Sequence, residues 1–246
     1  MENLQVTVQR QDNPESNPYE EEFVVPYRPN MNIISVLMMI RRNPVNKQGK
    51  HTAPVQWDMN CLEEVCGACS MIINDRPRQA CSTLVDRLEQ PIRLKPMETF
   101  LVIRDLVIER QRMFDALKRV KAWIPIDGTY DIGSGPRMAE TKRQWGYELS
   151  KCFTCGVCLE ACPNVNDSSD FLGPFVFAQI DLKNIHPTGE MQKGERVKSF
   201  MGDGGLGSCG NSQNCVQVCP KGIPLTTSIA KINREATKQA FKEFFG

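Results

Sequence analysis

Leu4, Val6 and Val8 alternate with polar residues, the two-residue period of a half-buried strand. Asp12 to Pro18 is dense in turn formers, and Phe23-Val24-Val25 follows as a return strand, so the N-terminus reads as a hairpin. Asn32 is placed to cap a helix through Ile33, Val36, Leu37 and Ile40. Asn43-Pro44 ends that helix, because proline denies its predecessor the helical region. Ser70–Ile73 and Ile92–Lys95 are further strands, with Asn74-Asp75 as the turn toward Arg78.

The pattern changes near residue 103. Leu106, Val107, Phe114, Leu117 and Val120 recur near a helical period. Residues 124–139 are Gly- and Pro-rich and read as a structured loop, followed by short helices around a group of cysteines. Pro224–Phe245 reads as a closing amphipathic helix, with Ile229, Ile232, Ala236 and Ala240 on one face and Pro224 near its start. The expected organisation is α+β, with a mixed domain over 1–105 and a helical domain over 106–246.

Composition narrows the function. The chain has 246 residues, 41% of them apolar, enough for a packed core. Thirty basic and 29 acidic residues leave a net charge of +1, without the basic excess of a nucleic-acid binder. No apolar run approaches the roughly 18 residues of a membrane span. The N-terminus, Met1-Glu2-Asn3-Leu4, lacks the features of a signal or transit peptide. The expected location is therefore the reducing compartment where the chain is made, and eleven cysteines there point to metal rather than disulfides.

The cysteines fall into three sets. Cys61, Cys66 and Cys69 have the C-x4-C-x2-C spacing of a plant-type [2Fe–2S] site, with Cys81 following as fourth thiolate. Gly67 among them lets backbone amides approach the sulfides. A four-cysteine zinc site is the alternative for this set. Cys152, Cys155, Cys158 and Cys162-Pro163 form the C-x2-C-x2-C-x3-C-P run of two-cluster ferredoxins, whose fourth cysteine ligates the other cluster. Cys209, Ser212, Cys215 and Cys219-Pro220 repeat that run with serine in the second place. Exchange of the fourth cysteines gives Cys152, Cys155, Cys158 and Cys219 to one cubane, read as [4Fe–4S]. Cys162, Cys209 and Cys215 remain for the other, read as [3Fe–4S], although a serine oxygen is able to hold a fourth iron. Together the three sets use every cysteine. Cluster charge must be offset by amides and basic groups; Gly156, Gly210, Lys151 and Lys221 lie beside cysteines, the lysines being equally readable as solvated charges.

With the sets in this order, the chain resembles the iron–sulfur subunit of succinate dehydrogenase and fumarate reductase over almost its whole length. The stretches Cys61-Leu62-Glu63-Glu64-Val65-Cys66-Gly67-Ala68-Cys69, Arg93-Leu94-Lys95-Pro96 and Cys219-Pro220-Lys221-Gly222-Ile223-Pro224 carry the likeness. Arg41-Arg42-Asn43-Pro44-Val45-Asn46 and Asn211-Ser212-Gln213-Asn214-Cys215 are similar to the bacterial branch paired with a dihaem cytochrome b anchor. The resemblance implies a β-grasp ferredoxin domain followed by an α-helical two-cluster ferredoxin domain. It implies a flavoprotein partner with covalent FAD, where succinate becomes fumarate, and a membrane anchor carrying haem b and a quinone site. Electrons would run from flavin through [2Fe–2S], [4Fe–4S] and [3Fe–4S] to quinone, with no catalytic residue on this chain. The location implied is peripheral, on the cytoplasmic face of the bacterial cell membrane.

Ubiquinone-using relatives carry tryptophan soon after the second-set Cys-Pro and histidine after the first cysteine of the third set. Here stand Asn164-Val165-Asn166-Asp167 and Gly210, so menaquinone is the expected acceptor. Fumarate reductase, the same chemistry reversed, and a zinc-binding interaction module are the alternatives. His51 and His186 lack ligand spacing and read as loop and turn residues. The methionines, Trp123 and Trp145 read as core. Val216, Val218 and Ile223 fit either the core or a face toward the anchor.

Overall fold

The computed structural model describes residues 3–124 and 137–245. The chain divides into two compact units, Met1–Arg110 with Cys155–Ala161, and Gln111–Thr154 with Cys162–Gly246. Most of the expected Gly/Pro loop at 124–139 lies outside the described residues. The strands are β1 (Asn3–Arg10), β2 (Tyr19–Pro26), β3 (Ser70–Ile73), β4 (Arg76–Gln79), β5 (Ile92–Lys95), β6 (Val102–Arg104) and β7 (Val107–Ile108). The helices are α1 (Ile33–Arg42), α2 (Gln111–Arg119), α3 (Glu140–Ser150), α4 (Val157–Glu160), α5 (Pro174–Ile185), α6 (Lys193–Lys198), α7 (Asn214–Gln217) and α8 (Leu225–Phe245).

In the first unit a mixed sheet runs β2-β1-β5-β3-β4, with β1 and β5 parallel and the other pairs antiparallel. Leu4, Val6 and Val8 bury the inward face of β1, while Ile33, Val36, Leu37 and Ile40 bury one side of α1 in the same core. Each such side chain contributes about 1.5–3 kcal/mol. The Asn32 side chain accepts from Ser35 N at 2.9 Å, satisfying an orphan amide of α1, and donates to Cys81 O at 2.9 Å. One cap thus starts the helix and fixes a cysteine nearly fifty residues away.

A fully buried ion pair locks this unit. Arg10 donates from Nε to Asp105 Oδ1 at 2.8 Å and from a terminal nitrogen to Ala53 O at 3.0 Å, and it also pairs with Glu21. Asp105 further accepts from the amides of Gln11 (3.2 Å) and Gln56 (2.9 Å). With every oxygen occupied, the pair specifies one register of β1, the 53–56 segment and the β6–β7 turn. Removing either partner would strand a buried charge and cost about 3–5 kcal/mol.

The second unit is helical around α5, whose Phe175, Val176, Phe177, Ala178 and Ile180 are all buried. Pro174 opens α5 at a position where its missing N–H costs nothing. Asp181 of α5 accepts from Trp145 Nε1 of α3 (2.8 Å) and Ser228 Oγ of α8 (3.2 Å), joining three helices. Burial pushes the Asp181 carboxyl up, against the pull of those two bonds and of Lys231. Arg196, fully buried, is held by carbonyls instead: Lys121 O at 3.0 Å, Gly189 O at 2.6 Å and Trp123 O at 2.9 Å.

Several expectations change. Val107 lies in β7, so the phase begun at Leu106 does not carry into α2, which buries Met113 and Ala116 and leaves Phe114 exposed. In α8, Ile232 is buried with Leu225 and Ser228, but Ala240 is exposed because the last turns extend past the packed surface. Trp123 is 48% exposed: Arg196 holds its carbonyl, and its ring is not core. Trp145 is half-buried, bonded to Asp181, with Lys231 3.5 Å above its ring. Among the described methionines, Met31, Met71, Met97 and Met113 are buried, Met39 is half-buried, and Met38, Met59, Met138, Met191 and Met201 are exposed.

Candidate iron–sulfur cluster sites

The first cysteine loop is built to hold negative charge. Leu62, Glu64 and Gly67 take positive φ (61°, 56° and 74°), turning successive amides inward. Cys61 Sγ accepts from the amides of Glu63 (3.4 Å), Val65 (3.3 Å) and Cys66 (3.3 Å). Cys66 Sγ accepts from those of Cys61 and Ala68, both at 3.5 Å. The amides of Glu63 and Val65 bring the Cys61 thiol down to about 7. Cys69 and Cys81 lie at one end of the β3–β4 ladder, just beyond the Ser70↔Gln79 pair, with Ala80 N bonded to Cys69 O at 3.1 Å. Both are buried, and burial pushes Cys69 up to about 12.

Cys155 and Cys158 also belong to the first unit. Ser70 Oγ reaches Cys155 O at 2.8 Å and is itself oriented by Gln79 Nε2 at 2.8 Å. Arg110 reaches Cys155 O at 3.2 Å and Ala68 O at 3.0 Å. Glu160 accepts from Thr99 N (3.0 Å) and Thr99 Oγ1 (2.7 Å), fastening α4 to the same unit. Apart from the Ser70–Gln79 bond within the β3–β4 ladder, these ties have no local sequence signal, since each joins residues more than forty positions apart.

In the second unit, Cys162, Cys209 and Cys215 come together. Burial raises Cys162 and, to about 11, Cys215, and in both cases another thiol of the trio raises it further: Cys209 for the first, Cys162 and Cys209 for the second. Ser212 is exposed. Cys219 Sγ accepts from Ile223 N at 3.4 Å, and Cys152 is raised mainly by burial, with Cys219 adding to it.

The second and third runs share one backbone. Thr154 and Asn211, two residues after the leading cysteines, have φ of 55° and 53°. Gly156 and Gln213, two residues later, have φ of 84° and 63° and precede four-residue helices opening on Val157-Cys158 and Asn214-Cys215. Leu159 N bonds Gly156 O at 3.0 Å as Val216 N bonds Gln213 O at 3.0 Å. One local difference accompanies the missing cysteine. Gly210 N donates to Asn164 Oδ1 at 3.3 Å, and a Cβ at Gly210 would stand 2.8 Å from that oxygen.

Among the described residues, no three His, Cys, Asp or Glu side chains converge tightly enough to hold one metal ion. A multinuclear cluster asks for something else, one thiolate for each of several irons. The donor chemistry fits such groups: soft sulfur ligands, with amide hydrogen bonds placed on them in the first loop and at Cys219. His51 is exposed and His186 accepts the amides of Thr188 and Gly189 in a turn, as expected of both. Ile223 is buried, while Val216 and Val218 are half-buried. Lys151 pairs with Glu148 and Lys221 lies over the Phe153 ring.

The 2Fe-2S iron-sulfur cluster binding domain family matches residues 3–115, and the 4Fe-4S dicluster domain family matches residues 148–223. The succinate dehydrogenase iron-sulfur subunit of Bacillus subtilis is 68% identical over 99% of this chain and 96% of its own length. The chain belongs to the succinate dehydrogenase iron–sulfur subunit family. The fumarate reductase iron-sulfur subunit of Wolinella succinogenes is 31% identical, with 89% of this chain and 90% of the relative covered. A chain of the Mycobacterium smegmatis Sdh1 complex in the apo form, 22% identical, shares the fold with a TM-score of 0.80 across 97% of both chains. Family membership agrees with the α+β reading of a [2Fe–2S] ferredoxin domain followed by a helical two-cluster domain. No helix among the described residues is long and apolar enough to cross a membrane.

Proposed function

We propose that this chain is the electron-transfer subunit of a succinate:quinone oxidoreductase that works toward succinate oxidation. The observation that carries the proposal is 68% identity with a succinate dehydrogenase subunit, against 31% with a fumarate reductase subunit. Cys61, Cys66, Cys69 and Cys81 would hold [2Fe–2S]. Cys152, Cys155, Cys158 and Cys219 would hold [4Fe–4S], and Cys162, Cys209 and Cys215 would hold [3Fe–4S]. Clusters supply one-electron carriers when bound; the protein supplies position, hydrogen bonds and exclusion of water.

The amides of Glu63, Val65 and Cys66 stabilise thiolate charge at Cys61. Buried Cys69, Cys158 and Cys215 keep water from the inner sides of their sites. Hydride and proton chemistry on succinate falls to a flavoprotein partner carrying FAD. Leu62 and Val65, exposed at the tip of the first loop, support its docking there. The second partner is a cytochrome b anchor with haem, which holds the chain peripherally at the cytoplasmic face of the membrane. Gly210 and Asn164, which share one small space beside Cys209, support menaquinone as acceptor.

Electron paramagnetic resonance on the purified complex tests this reading. A three-iron signal in the oxidised sample, lost on reduction, and a [2Fe–2S] signal appearing with succinate are expected. Clusters that answer dithionite but not succinate would assign the chain to another dehydrogenase. A colourless protein with stoichiometric zinc would refute the electron-transfer role.

A further inference from the structure

Arg110 sits half-buried between two cysteine loops of the first unit. One terminal nitrogen donates to Ala68 O (3.0 Å), between Cys66 and Cys69; the other donates to Cys155 O (3.2 Å). The Cys155 carbonyl takes a second bond, from Ser70 Oγ at 2.8 Å. Burial works against the guanidinium charge, and Asp58, Cys155, Cys69 and Cys66 favour it. A guanidinium stays charged in such a place, and its planar fork reaches two fixed carbonyls at once, which an ammonium does not.

We infer that Arg110 is a positioning and charge-setting residue: it clamps the Cys66–Cys69 loop to the Cys155 loop and raises the reduction potential of the first cluster. The inference rests on the reading of Cys61, Cys66, Cys69 and Cys81 as [2Fe–2S] ligands. Reduction adds negative charge beside those thiolates. A fixed positive charge in a partly dry site favours that state, and cluster potentials follow local charge and hydrogen bonding. Asp58, of opposite sign and in the same field, works the other way.

The test is a redox titration of the intact complex, read from the [2Fe–2S] resonance in wild type and in Arg110→Gln, Arg110→Lys and Asp58→Asn variants. Arg110→Gln should lower the equilibrium constant for reduction about tenfold, 59 mV for a one-electron couple. Arg110→Lys should restore most of the potential, and Asp58→Asn should move it upward. Ser70→Ala, which removes a bond to the same carbonyl without touching charge, should leave the potential close to wild type. An unmoved potential in Arg110→Gln, or a Ser70→Ala shift as large as the arginine's, would overturn the charge-setting role. If Arg110→Gln fails to assemble, Arg110→Met, read in the same titration, decides: a lowered potential supports the inference and an unmoved one refutes it. The wild-type resonance tests the cluster reading, whereas the differences between variants test the arginine.

Discussion

The second and third cysteine runs hold the same turns, the same pair of left-handed residues and the same four-residue helix, yet one carries Cys155 where the other carries Ser212. The backbone therefore does not decide which cluster each run serves. On the proposed ligand assignment, the decision rests on one atom, sulfur or oxygen, presented from an equivalent place on the loop. The runs also differ in how they reach their left-handed turn. Gly156 adopts it without steric cost, whereas Gln213 carries a Cβ into a region that costs L residues about 1–2 kcal/mol.

Making the runs more alike is the strongest way to break the comparison. Cys155→Ser should turn the second run into a copy of the third, replace the four-iron signal with a second three-iron signal, and cut succinate–quinone turnover by at least about 10–100-fold. A retained four-iron spectrum would show that Cys155 is not a ligand. Gly156→Ala imposes on the second run the strain that the third already bears. It should lower stability by about 1–2 kcal/mol, seen as cluster bleaching at lower urea. Gly210→Ala should cost about 1 kcal/mol, because Asn164 must swing away and give up its bond to the Gly210 amide. Adding Asn164→Ala should recover part of that loss, and a fully additive double variant would argue against the contact. The smallest effect is a gain: Gln213→Gly should stabilise by up to about 1 kcal/mol, offset in part by the freer unfolded chain. No change in the bleaching midpoint would mean that the turn is already relaxed.

Much of this was legible because it is local. The alternation at Leu4, Val6 and Val8, the Asn32 cap and the strands at Ser70–Ile73 and Ile92–Lys95 all depend on neighbours in sequence. The spacing of the cysteines pointed to clusters for the same reason. What stayed hidden is long-range. Arg10 and Asp105 are 95 positions apart, and nothing around either marks a buried pair. Arg110, Ser70 and Thr99 look like ordinary polar residues until the fold brings them to Cys155 and Glu160. The misplaced faces of α2 and the end of α8 have a related cause. Period alone does not register a strand that resets the phase, or the point where a helix outruns its neighbours.

The most direct test of the central claim is Ser212→Cys, followed by resonance spectroscopy of the oxidised complex at full cluster occupancy. The account predicts that the three-iron signal falls and a four-iron cluster takes its place at Cys162, Cys209, Cys215 and the new thiol. An undiminished three-iron signal in the fully loaded variant would contradict it.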